Sequence, residues 1–340
     1  MLAVSPVPRE VTFSYVDPLA QVWLGAAARI GLRVVRTPDA YAVTDGRGTL
    51  AIGDAATLDA DDSLAQMIFH ELCHSLVEGE DAFGKPDWGM DNTGPDHDWR
   101  EHACLRTQWV LTGRYGLREL FAPTTEFRAF WNALAGDVLA DREDRSTIAA
   151  IAAVRRAALP PWAPALTDAL AATSVIALAA RPFAQPGMLH AEPPPTLHPT
   201  GLPGGVVDAA CDTCAWRAGS KCRQANAKVD PAWPACERYE AALDCQTCGA
   251  CCRAAYHSVE INRRDPMVKK QPAYVVDRTT YLEVLRDGDR CGALAGGEIS
   301  GDRITRYACK IYDDRPRTCR EFTLGSAHCL TARRRVGLSL

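Results

Sequence analysis

What most constrains this chain is where its cysteines lie. Of 14 cysteines, 12 fall between Cys211 and Cys329, and only Cys73 and Cys104 precede them. A stretch so rich in small thiols has few large side chains to bury, so an apolar core alone cannot hold it together. The opening segment, Met1 to Glu10, has neither the basic start nor the apolar run of a secretory leader, which sets the expectation of a cytoplasmic, reducing setting. There, dense cysteines point to metal sites before disulfides.

A second feature divides the chain. Residues 182–203 carry seven prolines, including Pro193-Pro194-Pro195, and Gly204-Gly205 follows. Proline at that density holds neither helix nor central strand and reads as an extended spacer. The expected organisation is therefore residues 1–181, a linker over 182–205, and a cysteine domain over 206–340. A total of 340 residues suits two domains, and 47% hydrophobic with 24% charged residues excludes wholesale disorder. No unbroken apolar run reaches the length of a membrane span.

The first part reads as α+β. Strands are expected at Val11–Val16, Leu32–Val35, Tyr41–Thr44 and Thr49–Ile52, the last two joined by the turn Asp45-Gly46-Arg47-Gly48. Residues 18–30 read as a helix, and helices dominate from residue 63 to about 180. Ser63, with Gln66 three residues later, reads as a capping box. On the helix it opens, Leu64, Ile68, Leu72 and Leu76 share one arc with Ala65 and Phe69, and His70 and His74 fall opposite.

His70-Glu71-Leu72-Cys73-His74 is an HExxH pattern. Histidines one helical turn apart present two imidazoles to one metal ion, and Glu71 beside them is placed to take a proton from a water on it. A third ligand is needed. Glu101, on a helix where it shares a face with Cys104, Leu105 and Gln108, is one candidate, and His97 and His102 are others. The arrangement resembles the gluzincins, and most closely the small ImmA/IrrE-type metallopeptidases, in which HELxH is followed by E-x-x-A. Here Glu101-His102-Ala103 stands in that place. The resemblance implies a catalytic Zn2+ held by His70, His74 and Glu101, with Glu71 as general base, and an edge strand above the metal for which Thr49–Gly53 is the candidate. Cys73 reads as a small buried residue, and Trp88, Trp99 and Trp109 as core or cleft wall.

In the second part, Cys245-Gln246-Thr247-Cys248-Gly249-Ala250-Cys251-Cys252 is followed by Cys291, by Cys309-Lys310-Ile311-Tyr312 leading to Arg315-Pro316-Arg317-Thr318-Cys319, and by Cys329. This is similar to the YkgJ-type CxxCxxCC family over residues 243–335. The resemblance implies Zn2+ or iron–sulfur coordination by Cys245, Cys248, Cys251, Cys252, Cys291, Cys309, Cys319 and Cys329. Eight thiolates suit two four-ligand sites, with adjacent Cys251 and Cys252 expected to serve different ones or one of the two to remain free. Cys211, Cys214, Cys222 and Cys236 offer a third site, for zinc or [4Fe–4S]. Arg315, Arg317 and Arg320 are expected to hydrogen-bond near the thiolates, and Arg333-Arg334-Arg335 to be a solvated tail.

Net charge is −4, but residues 206–340 carry 22 Lys+Arg against 17 Asp+Glu. Four thiolates on one divalent ion leave a site at −2, so metal sites cancel that excess and no nucleic-acid partner is expected. The expectation is a zinc-dependent peptidase acting on a peptide or protein substrate, its cysteine module recognising substrate or sensing redox state or metal. The alternative is a metal- or cluster-binding protein with a redox or protein-modifying role, since flagellin lysine N-methylases carry a similar cysteine cluster.

Overall fold

The computed structural model describes residues 12–90, 98–124, 127–186, 196–204 and 209–340. Helix α1, Pro18–Ile30, starts where Asp17 accepts the Leu19 and Ala20 amides and ends at Gly31 with φ of 102°. Three strands follow: β1 (Arg33–Thr37), β2 (Ala42–Thr44) and β3 (Thr49–Gly53). Asp45 Oδ1 accepts the amides of Arg47 and Thr49 at 2.7 and 2.9 Å and closes the β2–β3 hairpin. Gly46 is required there, because a Cβ would lie 2.6 Å from the Lys85 carbonyl carbon.

Two expectations fail in this sheet. Residues 12–16 form no strand. Thr49–Gly53 is not an edge: it runs parallel to β1 on one side and antiparallel to β2 on the other, in the order β1-β3-β2. The β1 pairing is non-local, and a hairpin pattern carries no sign of it.

Helices α2 (Leu64–Glu78), α3 (Asp98–Gly113), α4 (Arg128–Ala133), α5 (Arg145–Arg156) and α6 (Ala165–Ala180) build the rest of this half. Ser63 caps α2 by accepting the Gln66 amide at 3.1 Å. The return half of the capping box is missing, since the Gln66 side chain donates to the Ala122 carbonyl instead. Ile68, Phe69, Leu72 and Leu76 of α2 are fully buried, with Phe69 against Trp23 and Phe121 at ring distances of 5.2 and 4.9 Å. Each such side chain stabilises the fold by roughly 1.5–3 kcal/mol through burial. The opposite side of α2 is covered too, by α3 and α5, so Glu71, His74 and Ser75 are also buried.

One helical stretch, Ala165–Phe183, is long and apolar enough by length and composition to cross a membrane, although polar residues interrupt it. In the fold its Thr173 accepts the Trp23 indole N–H at 2.9 Å and its Asp168 pairs with Arg29.

The cysteine-rich half is a chain of short elements. A three-stranded antiparallel sheet, β4 (Arg217–Ala218), β5 (Lys221–Cys222) and β6 (Ala227–Lys228), precedes two single-turn helices, α7 (Cys245–Cys248) and α8 (Ala250–Arg253). Strand β7 (Glu260–Ile261), helix α9 (Met267–Lys270), and strands β8 (Val275–Asp277) and β9 (Leu282–Val284) come next, and β9 lies between β7 and β8. Three two-stranded ribbons follow: β10 (Arg286–Asp287) with β11 (Arg290–Cys291), β12 (Leu294–Ala295) with β15 (Ala308–Cys309), and β13 (Ile299–Ser300) with β14 (Arg303–Ile304). Helices α10 (Arg317–Arg320) and α11 (Ala327–Arg335) end the series.

The halves meet along a polar seam. Ile304 N donates to the Glu143 carbonyl at 3.0 Å, Arg145 N to that of Asp302 at 2.9 Å, and Arg114 pairs with Glu237 at 2.6 Å. Arg333 is 2% exposed and holds Glu240, which also accepts from Trp216 and Ser339. The run 333–335 is therefore not a solvated tail: Arg334 donates to the Leu340 carbonyl and Arg335 to that of Ala255. Nor are the described linker residues a free spacer, since Gly204 bridges to Cys236.

Candidate metal centres

All fourteen cysteines are free thiols. Cys245, Cys248, Cys251, Cys252, Cys291, Cys309, Cys319 and Cys329, the eight expected together, line one cavity of about 660 Å³. Their mutual influence sorts them. Burial, then Cys251, Cys248 and Cys329, pushes the Cys245 thiol up to about 11. Burial, then Cys291, Cys309 and Cys251, pushes Cys319 up to about 12. Cys251 is raised first by its neighbour Cys252. Cys245 thus feels Cys248 and Cys329, Cys319 feels Cys291 and Cys309, and Cys251 lies near enough to influence both. Thiols that raise one another in this way become thiolates together only when a cation offsets their charge.

Residues 244–334 match the CxxCxxCC family of zinc- or iron-chelating domains. No curated protein and no solved structure matches the chain. The CxxCxxCC module is thus a zinc- or iron-chelating cysteine domain, and its Arg315 faces the cavity beside Tyr312, 3.9 Å from the ring centre. Arg317 and Arg320 do not face it: Arg317 pairs with Glu321 and Arg320 donates to the Arg315 carbonyl. Arg286, which the sequence did not suggest, lines the cavity instead.

The family match does not reach the HExxH segment, whose chemistry rests on geometry alone. His70 Nε2 and His74 Nε2 stand 3.0 Å apart, and Glu101 from α3 brings its carboxylate to 3.1 Å from His74 Nε2 and 3.7 Å from His70 Nε2. Two donors each about 2.0–2.1 Å from a tetrahedral zinc ion would stand ~3.3 Å apart, so this N,N,O set fits the ion. Burial would raise the Glu101 carboxyl, but His74 and His70 hold it down at about 2.

Cys104 also comes close, with its ligand atom and those of His70 and His74 all within 4.8 Å of one another. Its nearest contact with the His70 ring is at Nδ1, and it also reaches His74. Gln108 Nε2 donates to the Phe121 carbonyl at 3.0 Å, which turns Gln108 Oε1 toward His70 Nδ1 at 2.9 Å. His70 therefore carries its proton on Nδ1 and leaves Nε2 bare toward His74 and Glu101. Cys104 Sγ lies 3.7 Å from Nδ1, and burial pushes its thiol up. His102 points elsewhere, stacked on Phe130 at 4.0 Å, and His97 lies outside the described residues.

Glu71 is buried and held by a neighbouring tryptophan. Its Oε2 accepts the Trp88 indole N–H at 2.8 Å in a buried contact. Trp88 sits in a turn where Asp87, Trp88 and Gly89 all have positive φ, at 50°, 56° and 77°. Two of these are not glycine, so the surrounding fold has to hold the strain. The Trp88 amide donates to Thr44 Oγ1 on β2 at 3.3 Å, and Asp45 bridges to Pro86. Trp88 is thus more than cleft wall: it fixes the carboxylate of the HExxH pattern.

Proposed function

We propose that the chain is a zinc-dependent peptidase acting on a peptide or protein substrate, with the CxxCxxCC module, itself a zinc- or iron-binding domain, recognising the substrate or sensing redox state or metal. The observation that carries this reading is the convergence of His70, His74 and Glu101 while Glu71 is held apart by Trp88. Zinc in such a site supplies an acidified water and polarises the carbonyl under attack. Gln108 fixes the tautomer of His70, so its Nε2 lone pair is available. Glu71, anchored through Oε2, keeps Oε1 to receive a proton and pass it to the leaving amine. The Trp88 N–H holds that carboxylate in one orientation, which lowers the cost of reaching the reactive geometry.

Glu71→Gln preserves size and removes the base. It is expected to keep its zinc and to lose turnover by roughly 10²–10⁴-fold, the usual share of a general acid–base group. Cleavage at the wild-type rate by this variant would end the peptidase reading. A second reading, in which the CxxCxxCC module carries the function, draws on the cavity that all eight cysteines share. Iron with visible absorbance in anaerobically prepared protein, together with no cleavage of a broad peptide library by either the full chain or residues 1–181, would favour it.

A further inference from the structure

The segment between the linker and the CxxCxxCC module builds a centre of its own. Cys211, Cys214, Cys222 and Cys236 line a pocket of about 10 Å³, space for a single water or ion. They come from three segments: a one-turn helix that starts at Cys211 and is followed directly by Cys214, the end of β5, and the position where Cys236 bridges to Gly204. Backbone N–H groups are aimed at the sulfurs. The Ala225 amide lies 3.5 Å from Cys222 Sγ, those of Glu240 and Trp216 face Cys214, and that of Arg238 faces Cys236. Amides placed in this way favour thiolates, which buried next to one another need a cation.

His198 completes the pocket from the linker. It is 6% exposed, with Nε2 3.3 Å from Cys211 Sγ. Its other nitrogen decides its role. Nδ1 lies 3.2 Å from the Thr200 amide, which can only donate, and 2.7 Å from Thr200 Oγ1. Nδ1 is therefore the acceptor and the ring proton sits on Nε2, facing the sulfur. A neutral imidazole that ligates through Nε2 needs the opposite tautomer, with Nδ1–H turned to an acceptor.

We propose that Cys211, Cys214, Cys222 and Cys236 hold one zinc ion, with His198 donating a hydrogen bond from Nε2 to the Cys211 thiolate and not binding the ion. Four thiols give up their protons to solvent as Zn2+ enters, which leaves the site at −2, and the Nε2–H···S bond offsets part of that charge. Because His198 and Gly204 both belong to the linker, loading this site fixes residues 196–204 against the cysteine half. The centre is independent of the HExxH site and of the peptidase reading.

The test is a pulse of iodoacetamide on the full-length, zinc-loaded protein, with each cysteine's modification read by peptide mass spectrometry and zinc per chain counted by native mass spectrometry. Free thiolates alkylate and metal-bound ones are shielded. Cys211, Cys214, Cys222 and Cys236 are expected to be shielded in step relative to chelated protein. In His198→Ala the zinc count should be unchanged at saturation, while zinc affinity falls by roughly 10–100-fold, the usual cost of losing an outer partner. Cys245 to Cys329 should react as in wild type, which reports that the variant is folded. If it is not, His198→Phe, which keeps a flat ring in the pocket and has no N–H to donate, takes its place with the same readout. Four cysteines as reactive as in chelated protein, with one zinc fewer, would make His198 a ligand and overturn the proposal. Unchanged affinity, or only three of the four shielded, would overturn it as well.

Discussion

At the scale of single residues, α3 offers two donors one turn apart, and the fold gives them different tasks. Glu101 faces the Nε2 atoms of His74 and His70, and Cys104 lies beside His70 Nδ1 near Gln108. Glu101→Ala is expected to reduce zinc affinity of residues 1–181 by more than the roughly 10–100-fold that an outer partner contributes, and Cys104→Ser to stay within that range. Equilibrium dialysis in the full chain, with a His70→Ala control to identify the site, reads both. Trp88→Phe keeps an aromatic side chain and removes the N–H, so turnover should fall about 10-fold with zinc retained. Glu101, on another helix, was singled out among the candidates by the family resemblance, and the histidines and Glu71 were legible in the sequence because helical spacing is a local signal. Trp88 was not, since its link to Glu71 runs through positive φ at Asp87 and Trp88 that no residue type there announces. His198 was hidden by the prolines around it. Its one sequence sign, Thr200 two residues on and a CxxC pair thirteen residues away, makes sense only once the tautomer is known.

At the scale of elements, periodicity placed α1 and the Ser63 cap placed the start of α2, while sheet order escaped because parallel pairing depends on contacts between distant segments. Helix α5 provides an energetic test. Asp144 caps it, accepting from the Ser146 and Thr147 amides and hydroxyls. Burial would raise its carboxyl, but these donors hold it below the usual range. A depressed folded pKa means the contribution is present above the unfolded value near 3.9 and is lost as pH falls through the lower folded value. Asp144→Ala should therefore cost about 1 kcal/mol near neutral pH, and less in acid as wild type loses the same term. Urea melts at pH 7 and pH 3 check the sign: a difference that grows in acid would contradict it.

At the scale of the whole molecule, the two halves rest on different forces. The first has a continuous apolar core around Trp23, Phe69 and Phe121, whereas the second has several small clusters, in which cysteines are themselves members. Stripping metal should therefore abolish a calorimetric transition belonging to residues 206–340 and leave one belonging to the first core. A single transition at unchanged temperature after chelation would refute this. The seam has a further consequence, in time. The Arg303–Asp141 and Arg114–Glu237 pairs join residues 162 and 123 positions apart, so their contacts close last, after the loop entropy of long intervening chain has been overcome. A refolding chain should pack Phe69 against Phe121 early and form the seam in a slower phase whose rate follows metal concentration, because one bank of the seam does not exist until the thiols have closed on their ions.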